Sequence, residues 1–129
     1  MRFISILAAG AFLISTGVNA APVQFGKEIA AAATHAGLAA QESEIAGVHM
    51  HLHHTMNCLV GPKGEGYSAK DMDPCSALGN GAVVDAATRS TVLGVNTAIL
   101  GTKKGLEEQD VTKAKEIAAE VNKLLLNIK

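Results

Sequence analysis

The sequence predicts an all-α domain, an up-and-down four-helix bundle, carried behind an export signal. Alanine is abundant and aromatic residues are scarce, a composition that favours helix over strand. Apolar residues recur at three- and four-residue intervals across 39–57, 82–102 and 110–128, the spacing of one helix face. One breaker-rich stretch, 59–81, divides the helical segments into two pairs.

Residues 1–20 have the form of a cleaved signal peptide. Met1-Arg2 is a short positive start, Phe3 to Ile14 is a largely apolar run, and Val18 and Ala20 supply the small residues of a cleavage site. The run is about 12 residues where a bilayer span needs roughly 20, so the expectation is a periplasmic or secreted protein with no membrane insertion after cleavage. Residues 21–129 then form a single helical bundle domain. Loss of Arg2 takes the formal net charge from −1 to −2, and no run of Lys or Arg appears. Nucleic acid and anionic membranes are therefore poor candidate partners. Cys58 and Cys75 both lie in the exported part, where an oxidising compartment closes such pairs, and a disulfide between them is expected.

The first helix is predicted over 24–36 (QFGKEIAAAATHA), with Gly37 placed where helices often end. The second covers 39–57, with Ile45, Val48, Leu52 and Met56 on one face and the acids Glu42 and Glu44 near its positive end. Without a break near Gly37, residues 24–57 would form a rod of roughly 50 Å, too long for its neighbours to cover. A three-helix bundle with that long first helix is the alternative. Segment 59–81 holds seven Gly and Pro residues and reads as a loop, tied back to the second helix by the disulfide. The third helix is predicted over 82–102, weakened by β-branched residues and Gly94, and the fourth over 110–128, capped by Asp110. The short connection 103–109 makes these two antiparallel neighbours.

All five histidines fall in one stretch: His35, His49, His51, His53 and His54. Two histidines four apart on a helix face the same way and can ligate one ion. His49 and His53 are that pair, about 40° apart around the axis at ~100° per residue and beside the Leu52/Met56 stripe. They are the predicted core ligands, and His51 and His54 form a second, more exposed pair. Neutral imidazole suits zinc, copper and nickel, and the thioethers of Met50 and Met56 would add affinity for copper(I). In one continuous helix His35 would lie roughly 21 Å from His49. A turn near Gly37 would instead bring Glu28 beside His49 as a further ligand. Glu42, His35 and Asp85 complete the candidates.

No HExxH, CxxC or CxxCH occurs, so no fixed zinc or haem c motif is present. Haem b held between His49 or His53 and a Met or second His is an alternative cofactor, set against the shortage of aromatic wall, which consists of Phe25 and Tyr67. The serines lie in no nucleophile context and the paired carboxylates read as solvated helix ends, so no enzyme is predicted. A third reading makes loop 59–81 a docking surface for another periplasmic protein.

The run HMHLHHTMNCLVGPKGEGY, followed by DPC and GNGAVVD, resembles a group of small exported proteobacterial proteins that carry no assigned activity. The resemblance spans roughly residues 30–86 and implies a shared fold and site. More loosely, the Ala-rich ATHAGLAA segment is similar to periplasmic small metal-binding helical bundles, which spread histidine along several helices, whereas here it is confined to 35–54. Together these readings predict a periplasmic copper- or zinc-binding protein for buffering or delivery.

Overall fold

Four helices pack in a ring in the computed structural model, which describes residues 23–129; the signal-peptide expectation for 1–20 lies outside the described residues. In chain order they are α1 (Phe25–Ala39), α2 (Ile45–Val60), a single turn α3 (Ala82–Asp85), α4 (Arg89–Glu107) and α5 (Val111–Leu126). α1 packs on α2 and α5, and α4 packs on the same two, which closes the ring. None of the described helices is long and apolar enough to cross a membrane.

The four-helix reading holds, but the first turn lies elsewhere than predicted. α1 runs through Gly37 to Ala39, and residues 40–44 make the turn. A C-terminal glycine ends a helix by adopting positive φ. Gly37 does not; among the described residues only Gly61, Gly66 and Gly81 do. Gly37 instead sits where α1 passes closest to α5: a Cβ there would stand 3.1 Å from Nδ2 of Asn122, and that amide donates to the Ala33 carbonyl at 2.7 Å.

α2 continues one turn past its predicted end, and residues 54–60 are all buried. Gly61, at φ +68°, ends it, with its N–H on the Asn57 carbonyl at 2.9 Å. Its missing Cβ lets the chain run against Asn80 and Gly81, where the loop returns. The expected disulfide joins Cys58 to Cys75 with Cα atoms 5.1 Å apart. Closing a loop of this size stabilises the fold by about 3 kcal/mol. Asn57 holds the same loop from inside: its amide donates to the carbonyls of Ser68 and Met72 at 3.0 and 3.2 Å and accepts from the Ser68 N–H at 2.8 Å.

The predicted helix 82–102 is split. Ala86 is extended, and Thr88 starts α4 with a reciprocal cap: its hydroxyl accepts from the Thr91 N–H, and the Thr91 hydroxyl accepts from the Thr88 N–H. Hydroxyl side chains that bond the nearby backbone compete with the helical ladder, which is why the break falls here. α4 then runs on to Glu107, leaving only 108–110 as connection. Asp110 caps α5 as expected, accepting from the Lys113 N–H at 2.9 Å.

The interior is built largely from small side chains. Ala32, Ala33, Ala36 and Ala39 on α1 and Ala114 and Ala118 on α5 are all buried. They allow close helix approach, while Leu52, Leu59 and Leu125 fill the remaining space. At Gly105 a Cβ would lie 2.7 Å from Leu52, so α4 and α2 nearly touch there.

Candidate metal centre

The turn position decides which histidines meet. Residues equidistant from the turn of an antiparallel hairpin stand opposite each other. A turn near Gly37 would set Glu28 against His49; the turn at 40–44 brings His35 to the level of residues 49–51, and the ring it meets there is that of His51. His54, three residues on, shares that face of α2.

His35, His51 and His54 each offer a ring nitrogen within 4.8 Å of the others. Nδ1 of His35 lies 3.3 Å from Nδ1 of His51. The His54 ring stands edge-on to both, with centroids 4.9 Å from His35 and 5.6 Å from His51. Two nitrogens bound at ~2.1 Å to one tetrahedral ion are themselves about 3.4 Å apart, so the first pair already has that spacing. Nδ1 of His54 is buried and has no hydrogen-bond partner. Buried nitrogens are normally paired, and a shared cation would satisfy this one; Nδ1 of His53 is also buried without a partner, outside the cluster.

The surroundings favour the neutral form of two of these rings, His35 and His54. Burial pushes the His35 imidazole below its usual range, and the neighbouring His54 and His51 push it further. Burial does the same to His54, helped by His51 and opposed by the carboxylate of Asp71. A neutral imidazole is the form that binds metal.

Glu42 stands behind His51. Its Oε1 lies 3.2 Å from Nε2, at the end of the ring away from His35. A carboxylate at that end of the ring is the kind of outer partner that orients metal-ligating histidines. It reaches this place by lying over Gly47, where a Cβ would stand 2.7 Å from its Cδ. Thr55 fixes the seam below: its hydroxyl donates to the His51 carbonyl at 3.0 Å and lies 3.3 Å from the Ala32 carbonyl of α1.

The predicted core pair has other neighbours. His49 donates from Nε2 to the Glu108 carbonyl at 2.8 Å, tying α2 to the α4–α5 connection. His53 lines a cavity with Met56, Leu100 and Lys103 against α4, and its Nδ1 is 3.8 Å from Asp71. No third ligand joins them: among the described residues, the only other group of three potential ligands is Cys58, Asp73 and Cys75, whose sulfurs form the disulfide. The imidazoles that converge are therefore those of His51 and His54 rather than the His49 and His53 pair, and His35, set aside in a straight helix, joins them. His54 is also buried, at 5% exposure, rather than part of an exposed pair. Met56 belongs to the core and Met50 is exposed.

Glu28 is corrected in the same way. It does not approach His49; it is fully buried, and Oε1 accepts from the Gly81 N–H at 3.1 Å. Burial raises its pKa to about 7, against the Gly81 hydrogen bond, and the nearby Asp85 and Asp73 carboxylates raise it further. Asp85 accepts from the backbone and side chain of Asn80, so both acids hold the returning end of the loop.

Comparison with known proteins returns no match: no family model, no curated protein and no solved structure resembles this chain.

Proposed function

We propose that the protein is an exported transition-metal binder that holds one copper or zinc ion between His35, His51 and His54, for buffering or for delivery to another periplasmic protein. The observation that carries this is the convergence of three imidazoles whose ring nitrogens lie within 4.8 Å of one another, with a buried, unpartnered nitrogen on His54. Imidazole nitrogen suits zinc and copper, and the Glu42 carboxylate behind His51 supplies the outer support such ligands use. The disulfide accords with an oxidising compartment and so with export.

Zinc and copper titrations followed by calorimetry test the proposal on the full chain. Affinity should fall at least tenfold in His35→Ala, His51→Ala and His54→Ala, and stay near wild type in His49→Ala/His53→Ala. Equal affinity in wild type and all three triad variants overturns it.

A further inference from the structure

We infer that the ion held by His35, His51 and His54 keeps one coordination position open to a small monodentate ligand from solvent. This rests on the metal-binding reading above and goes beyond it by assigning what completes the coordination.

Among the described residues, only three His, Cys, Asp or Glu side chains converge here. Four other potential donors nearby face elsewhere. Glu42 meets His51 at Nε2, the far end of the ring from the nitrogen that faces His35. His49 is spent on the Glu108 carbonyl. His53 faces Asp71 and the α4 side, and Cys58 is in the disulfide. A tetrahedral ion with three protein nitrogens has a fourth position. Structural zinc sites close it with a fourth side chain, whereas sites with three protein ligands leave it to water or another small donor.

The centre is also placed where such a ligand can enter. His54 forms its buried floor. On the other side, the His51 side chain is 14% exposed and that of Glu42 34% exposed, so solvent reaches the seam between α1 and α2 past these two residues. An ion here is held by the interior and open at one edge, which suits exchange better than permanent storage. The ligand class is a small anion or a nitrogen heterocycle, the latter being the chemistry of an incoming histidine ring.

Cobalt(II) reports coordination through its visible absorption, and azide and imidazole are the probes. With the full chain loaded with cobalt, each probe should shift the bands saturably at one ligand per ion. Bands that neither probe moves, on an ion lost from His54→Ala or His35→Gln, overturn the open position and leave metal binding standing. Circular dichroism on both variants ensures that at least one folded variant is read. Met50 lies four residues before His54 on the same helix and has an exposed thioether. Bands that azide moves in Met50→Leu and not in wild type assign the fourth position to that sulfur and also overturn the inference. Failure of the wild type to bind cobalt or zinc overturns the metal-binding reading itself.

Discussion

Oε1 of Glu42 lies 3.2 Å from Nε2 of His51, while the other nitrogen of the same ring lies 3.3 Å from His35. One imidazole thus joins a carboxylate in the α1–α2 turn to the cluster between the two helices. Removing an outer-shell partner of a ligating histidine typically weakens metal affinity 10- to 100-fold. Glu42→Gln should lower zinc affinity about tenfold and leave the helical content unchanged. Gly47→Ala should act alike, because its new methyl meets the Glu42 side chain and displaces it. Calorimetric titration of both variants checks this; wild-type affinity in each would show that the carboxylate has no part in orienting the ring.

The helix periodicity and the loop were legible because they rest on local patterns: the Val48/Leu52/Met56 stripe, the Asp110 cap, the glycines of 59–81 and the two cysteines. The site was only half legible. That histidines at 35–54 cluster could be read from spacing along one helix, but which of them meet depends on where α1 ends. Gly37 gave a misleading signal, since a glycine that permits contact with Asn122 is indistinguishable in sequence from one that ends a helix. A displacement of the turn by a few residues exchanged Glu28 for His35 as the neighbour of α2. The reciprocal cap of Thr88 and Thr91 was visible as a pair of threonines three apart, yet the helical spacing of the surrounding apolar residues masked it.

Burial raises the pKa of Glu28 to about 7, and this makes stability depend on pH in a definite direction. Below the ordinary value of 4.5 the carboxyl is protonated both folded and unfolded, and its stabilising contribution is fully present. As pH rises towards 7 the unfolded chain releases a proton that the folded one retains, and the contribution is lost. The loss amounts to about 3 kcal/mol for a shift of this size. The His35 and His54 rings, whose pKa values are lowered, act in the opposite sense, losing stability as pH falls below the usual histidine range. Glu28→Gln separates the two effects. The difference in unfolding free energy between wild type and Glu28→Gln should move by about 3 kcal/mol in favour of the variant between pH 4.5 and pH 8. Urea unfolding at several pH values measures it, and a difference that stays constant across the range contradicts the buried acid's role.

The disulfide ties down the loop and lies apart from the three imidazoles. Cys58 and Cys75 close residues 59–74, whereas the three imidazoles stand on α1 and α2. Cys58→Ala/Cys75→Ala should cost about 3 kcal/mol of stability, read from the urea midpoint. Zinc affinity should remain within about threefold of wild type under conditions where the variant is folded, because each tenfold loss would require 1.4 kcal/mol of change at the site itself. An affinity loss well beyond that would mean that the loop, through Asp71 beside His53 and His54, holds the ligands in place.

Two glycines should respond to alanine with opposite signs. Gly26 lies in the first turn of α1, and a Cβ there meets nothing within 4 Å. Alanine at that position gains helix propensity and restricts the unfolded chain, so Gly26→Ala should stabilise the protein by about 0.5–1 kcal/mol. Gly61 has φ +68° and lies against the backbone of Asn80 and Gly81. A methyl there both strains the left-handed conformation and collides with main-chain atoms that cannot rotate away. Gly61→Ala should therefore destabilise by more than the ~1 kcal/mol that separates the two residues in ordinary settings. Thermal unfolding of the two variants side by side tests the crossing of the loop ends at Gly61 and Gly81. If Gly61→Ala melts like wild type, the returning strand of the loop does not pass there, and the contacts of Glu28 and Asp85 with residues 80 and 81 fall with it.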